Sequence, residues 1–211
     1  MEDWEAWETY PHHRWIFNKL ELSQRLGYVC GPTPMPVPES GEYCVRPIYN
    51  LGGMSAGARI LYLEKDTILQ LPPSHFWCQR FIGVQYSVNY TWKGDRFIPT
   101  HTSIGINSPE EVYRFSRWYE TNHRHYDLPN WVSDFQDAQN INIEFIEDNI
   151  LEIHLRPGED FPEGAKEIVC VYEDSDKNMI DNFLSKGWNY DEEYVDAEKN
   201  IPVARLGMLW R

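Results

Sequence analysis

Apolar and polar positions change rhythm along this chain. Residues 11–28, PHHRWIFNKLELSQRLGY, space Trp15, Ile16, Leu20, Leu22 and Leu26 near the 3.6-residue period of a helix, and Gly27 suits a C-terminal cap. The four prolines of residues 30–41 exclude helix and favour an extended connector. From residue 42 the pattern turns to a period of two and short apolar runs. It predicts strands in YCVRPIY, ARILYL, WCQRFIGVQYSVNYTW and RFIPTHTSI, with a turn at KGD, residues 93–95.

Residues 108–122, SPEEVYRFSRWYETN, carry helix-start signals: Ser108 as N-cap, Pro109 at the first helical position, and acids in the first turn. They predict a helix. After a loop, residues 140–157 (NINIEFIEDNILEIHLRP) read as two alternating strands around a tight EDN turn. EIVCVYE is a further strand, and DKNMIDNFLSKGW, residues 176–188, a helix stopped at Gly187. The final twenty residues give no clear period.

Length and composition narrow the class. A chain of 211 residues, 42% hydrophobic and 15% aromatic, suits one folded domain with a real core. Its net charge of −14 argues against binding to a nucleic-acid backbone or an anionic membrane. Acids crowd residues 2–8 (Glu2, Asp3, Glu5, Glu8) and 191–198; solvated surface is the plain reading, with nucleic-acid mimicry or an acidic docking tail as alternatives. Cys30, Cys44, Cys78 and Cys170 form no Cys-x-x-Cys pair and read as reduced thiols. With no leader and no run of the ~18 apolar residues that a membrane span needs, a cytoplasmic protein is expected.

Two stretches carry candidate chemistry. Gly52, Gly53 and Gly57 lie between two strands, either to turn a hairpin or to bring backbone N–H groups against phosphate. No Walker-type loop and no Gly-x-Gly-x-x-Gly is present. In NILEIHLRP, Glu152, His154 and Arg156 alternate and emerge on one face, with Glu144 across the turn. Carboxylates and an imidazole there could hold a divalent cation beside an arginine that holds its anion, or form a solvated edge. Leu151, Ile153 and Leu155 face the core. His12, His13, His123 and His125 lack supporting cysteines and read as surface or satisfied histidines.

Taken in order, FNKLELSQRLGY, the proline connector, YCVRPIYNLGGMSAGARI, CQRFIGVQYSVNY and IEFIEDNILEIHLRPG resemble the nucleotide-binding core of the ATP-grasp superfamily over roughly residues 15–160. The resemblance implies an α+β fold of antiparallel sheets flanked by a few helices, as one domain over 1–211. A small glycine-loop lobe would cover about 42–92, with the C-terminal sheet and helices at 93–211. It implies that Lys19 and Arg46 grip ATP phosphates under a cover of Gly52, Gly53 and Gly57, and that Gln79, Phe81 and Gln85 line the adenosine pocket. Glu144, Glu152 and His154 would hold Mg2+, and Arg156 would touch a phosphate or acylphosphate. Arg46 stands where the family has lysine, Gln85 and Asn89 where it has acids, and His154 where it has asparagine.

The chain is also similar to short ATP-grasp-like proteins of phage type, which lack the preceding domain of the family's ligases and would work in the host cytoplasm. An active site implies an ATP-dependent ligase joining a carboxylate or peptide substrate to an amine or thiol through an acylphosphate. An inactive one implies a nucleotide-binding or regulatory module acting on a host or virion protein. Glu152→Gln is expected to remove metal-dependent binding and leave the fold intact.

Overall fold

A computed structural model describes residues 1–51, 57–108, 111–122, 126–158, 161–162, 164–195 and 203–211. Its strands form two antiparallel sheets. The smaller has the order β1-β4-β2-β3, from Cys30–Pro32 (β1), Gly41–Pro47 (β2), Arg59–Leu63 (β3) and His75–Gln79 (β4). The larger has the order β11-β12-β10-β7-β6-β5-β8-β9. Its strands are Gln85–Lys93 (β5), Arg96–Ser108 (β6), Glu111–Glu120 (β7), Asn140–Ile146 (β8), Asn149–His154 (β9), Glu167–Tyr172 (β10), Asn189–Val195 (β11) and Arg205–Trp210 (β12).

The expected first helix is two pieces, a 3-10 segment Pro11–Phe17 and α2, Lys19–Arg25, preceded by α1, Asp3–Thr9. Asn18 breaks them apart because its side chain caps α2, accepting from the Glu21 N–H at 3.0 Å. Helix α3, Met179–Leu184, ends before Gly187 at φ +82°, as its period predicts.

The helix expected over residues 108–122 is a strand instead: β7 pairs with both β6 and β10. Its Ser-Pro-Glu-Glu start is a local preference. Phe115, Trp118 and Tyr119 have β propensity, and two ladders of backbone hydrogen bonds outweigh a cap of about 1 kcal/mol. Residues 109–110 lie outside the described residues.

The single strand expected in WCQRFIGVQYSVNYTW is two, one in each sheet, parted by a linker at residues 80–84. Gly83 makes the break, with φ +149° and a Cβ position that would meet the Glu147 side chain at 2.3 Å. Glu147 in turn accepts from the Val84 N–H at 2.7 Å. Gly83→Ala should therefore cost about 1–3 kcal/mol in urea denaturation, and Glu147→Ala added to it should recover the steric share. A neutral Gly83→Ala would contradict this geometry.

The main core lies between the large sheet and the helices. Ile16, Phe17, Leu22, Val132 and Phe135 pack on Val88, Tyr90, Ile141, Ile143, Phe145, Ile153 and Leu155. Leu151 is half-buried. Period-two alternation buries that face and leaves the other polar across four strands. Cross-strand partners share a face, so Gln85, Ser87, Asn89, Ser103, Asn142, Glu144, Glu152 and His154 stand together. Cys30 and Cys44 both stand opposite Cys78, and all four cysteines are free. No described helix is long and apolar enough to cross a membrane.

Candidate functional site

The two sheets and their linker enclose a cleft of about 400 Å³. Arg46, Glu144 and Glu152 stand in its wall, while Phe81, Ile82, Val84, Ile106, Ile146 and Ile150 make an apolar region. Ile82 is 75% exposed there.

Lys19, the first residue of α2, lines a small gap beside the cleft and meets the cleft wall at Glu152. Its backbone N–H, one of the donors a helix leaves unused, bonds the Ile48 carbonyl at 2.9 Å and ties the helix start to the chain just beyond Arg46. The Lys19 ammonium pairs with Glu152 Oε2, and Arg46 Nη1 donates to Glu152 Oε1 at 2.9 Å. Arg46 also donates to the Leu151 carbonyl at 3.3 Å, so it joins the two sheets, and its guanidinium lies 5.4 Å from the Phe76 ring centroid. Arg46 Nε is buried without a hydrogen-bond partner.

Glu144 and Glu152 are direct partners across the β8–β9 hairpin, the register that brings the predicted carboxylates side by side. Gln85 Nε2 donates to Glu144 at 3.2 Å. His154 Nε2 lies 3.8 Å from both carboxylates. Its Nδ1 bonds Asp3 at 2.8 Å, and Arg156 Nε donates to the other Asp3 oxygen at 2.8 Å.

Burial alone would raise the Glu152 pKa, but Lys19, Arg46 and His154 outweigh it and hold the carboxyl at about 2. Burial would likewise lower His154, and Asp3, Glu144 and Glu152 together raise it instead. Asp3, though buried, is held well below the ordinary carboxylate range by His154 and Arg156. These carboxylates favour the protonated form of the His154 imidazole, which suits a counter-ion between them. Among the described residues no group of three or more His, Cys, Asp or Glu side chains is arranged to hold a metal ion.

The other predicted residues separate. Gln79 and Phe81 line the cleft, where Gln79 Oε1 accepts from the Val29 N–H at 2.7 Å and Phe81 packs on Tyr28. Gly57 has φ +79° and adjoins Pro47; Gly52 and Gly53 lie outside the described residues. The β2–β3 hairpin around them is present, which both readings of the loop require. Asn89 is not in the cleft wall: it grips the Gly158 backbone at both N–H and carbonyl, 2.7 and 3.0 Å. Arg156 does not line the cleft; it bonds Asp3, which in turn bonds His154. His13 bonds Asp137 at 2.9 Å, and His123 and His125 lie outside the described residues.

Asp3 is the residue that the sequence reading misplaced as solvated surface. It is 3% exposed. A signal existed: Asp3, Ala6, Trp7 and Tyr10 fall at i, i+3, i+4 and i+7, so an acid leads the buried stripe of α1.

No protein-family model matches the sequence, and no curated protein matches it. Solved structures do match its fold. Carboxyaminoimidazole ribonucleotide synthase from Aspergillus clavatus, complexed with ATP, aligns at 10% identity and TM-score 0.53, over 93% of this chain and 68% of that one. N5-carboxyaminoimidazole ribonucleotide synthetase from Thermus thermophilus aligns at 9% and 0.53, with the same coverage. N5-carboxyaminoimidazole synthetase from Staphylococcus aureus, complexed with ADP, aligns at 10% and 0.52, over 92% and 67%. Two antiparallel sheets around a cleft, with a linker between them and a basic helix start at one end, give this chain an ATP-grasp-like fold.

Proposed function

We propose that the cleft binds ATP and that the chain is an ATP-grasp-like nucleotide-binding protein. The observation that carries this reading is one cleft of about 400 Å³, the size of a small-molecule site, with an apolar region and a charged end. Phe81, Ile82, Val84 and Ile150 suit a flat base, Gln85 a ribose hydroxyl, and Lys19 with Arg46 the phosphates. The unpartnered Arg46 Nε is a donor that an anion could satisfy. The segment with Gly52 and Gly53, and Gly57 beside it, would lie over those phosphates.

Glu144 and Glu152 fit magnesium, which commonly uses one or two carboxylates together with substrate phosphates. The ion would supply charge neutralisation at the β- and γ-phosphates. For Glu152 to serve it, Lys19 and Arg46 must transfer to the phosphates. His154 would stay beside both carboxylates as their counter-ion.

In an active protein, a substrate carboxylate oxygen bonds to the γ-phosphorus as the bond to the β-bridging oxygen breaks and ADP leaves. An amine or thiol then attacks the acyl carbon and expels phosphate, losing its proton. Lys19 and Arg46 would stabilise charge during the transfer, and Arg156 would face the acylphosphate. This makes the chain an ATP-dependent carboxylate-amine or carboxylate-thiol ligase.

One observation favours an inactive binding or regulatory module, of phage type and directed at a host or virion protein. Glu152 is already neutralised by Lys19 and Arg46, and Arg156 by Asp3. Thermal denaturation with Mg-ATP separates the outcomes. At ~100 times the dissociation constant, the folded state should gain about 2.7 kcal/mol. Glu144→Gln should lose the magnesium-dependent share of that gain. No shift with ATP, GTP or ADP would sink the nucleotide reading; a shift without ADP release across a panel of carboxylates would favour the inactive module.

A further inference from the structure

The Asp3 carboxylate is held as a bound ligand would be. One oxygen bonds His154 Nδ1 and the other Arg156 Nε, each at 2.8 Å, in a place where Asp3 is 3% exposed. A guanidinium on one oxygen and an imidazole on the other suit a carboxylate or phosphate group. We propose that His154 and Arg156 form an oxyanion-binding subsite next to the cleft, that Asp3 of α1 fills it in the unliganded chain, and that an oxyanion group of a ligand displaces Asp3 to enter. This rests on the nucleotide reading for what occupies the adjoining cleft.

Electrostatics dictates the class of ligand. Lys19, Arg46, His154 and Arg156 face Asp3, Glu144 and Glu152 in one connected group. With Asp3 withdrawn, the Arg156 guanidinium and His154 Nδ1 lose the carboxylate that each of them bonds, and a neutral group in its place would not supply that charge. Another anion replaces it in kind.

The carrier of Asp3 is also the kind of element that can move. Helix α1 has seven residues, too few to be stable alone; it buries Asp3 and Ala6 and packs a half-buried Trp7 against Phe17 and Tyr49, while Trp4 on it is 58% exposed. No β-ladder holds it, so opening it disturbs no sheet. Between α1, α2 and β9 there remains a gap of about 10 Å³ lined by Asp3, Lys19, Asn50, Glu152 and His154. The subsite thus adjoins Lys19, the proposed phosphate contact.

The test is calorimetric titration of the full chain and its Asp3→Ala variant with inorganic phosphate and, separately, succinate, against chloride at equal ionic strength. At least one anion should bind Asp3→Ala about tenfold more tightly than wild type, a difference of about 1.4 kcal/mol. Adding Arg156→Gln should remove the gain. A gain for phosphate alone assigns the subsite to a phosphoryl group, and for succinate alone to a substrate carboxylate. An Asp3→Ala protein that melts cooperatively and binds neither anion more tightly overturns the proposal.

If Asp3→Ala does not fold, hydrogen exchange on the wild type decides. The α1 amides should lose protection as either anion is added, and unchanged protection in concentrated phosphate and succinate overturns the proposal. Mg-ATP thermal shifts run alongside keep the readings apart. A shift without an anion gain sinks this inference alone, and an anion gain without a shift sinks only the nucleotide reading.

Discussion

Replacing Glu152 by glutamine should cost the folded protein about 3–5 kcal/mol, seen as a lowered midpoint in urea denaturation. The carboxylate takes Lys19 on one oxygen and Arg46 on the other, and His154 stands 3.8 Å away. A neutral amide of the same shape keeps the packing and leaves the Lys19 ammonium and the Arg46 guanidinium facing one another in a poorly hydrated place. The sequence reading expected this substitution to spare the fold. The folded chain, however, uses Glu152 to join α2, β2 and β9. Adding Lys19→Met to Glu152→Gln should return part of the loss, because one stranded cation leaves with its partner. A loss below about 1 kcal/mol for Glu152→Gln would mean that these pairs are hydrated like surface ion pairs.

Stability should also fall on both sides of neutrality. Glu152 sits at about 2 in the folded chain against 4.5 for an ordinary glutamate, so its contribution is complete above 4.5 and disappears as pH falls towards 2. That shift amounts to at most about 3 kcal/mol. Asp3, also depressed, adds loss in the same direction. His154 has the opposite sign. Its folded pKa is raised above 6.5, so its contribution is complete below 6.5 and is lost as pH rises through the folded value. Urea midpoints measured across pH should trace a bell, and His154→Gln should flatten the alkaline side while lowering the maximum. An alkaline side that is unchanged in His154→Gln would show that the imidazole is neutral in the folded chain.

These two expectations share a cause with the proposed ligand chemistry. A site made to receive a highly charged nucleotide is rich in cations, and in the unliganded chain carboxylates must cover them. Glu152 covers Lys19 and Arg46, and Asp3 covers His154 and Arg156. Binding would then be an exchange of partners, in which stability at rest and affinity for anions compete.

Much of this was legible in the chain itself. The alternation in residues 140–157 specified the β8–β9 hairpin, its turn and the shared face of Glu144, Glu152 and His154, because side chains two apart on a strand point the same way; a bulge opposite Glu144 and Phe145 takes Leu151 out of that rhythm. The order of weak motifs pointed to the ATP-grasp-like fold at about 10% identity to solved structures. Local signals misled where long-range pairing was stronger. Ser108 and its acids advertised a helix that neighbouring strands converted to β7, and an apolar run read as one strand was divided between two sheets at Gly83.

Which charges meet was a decision of the tertiary structure alone. Asp3 lies 151 residues from His154, and Arg46 106 from Glu152; nothing in local composition encodes such pairs. They form because burying the apolar stripes of α1 and α2 and folding one sheet over the other bring polar groups into a place with little water. There each charge must find an opposite one, and it does so wherever in the chain that partner lies.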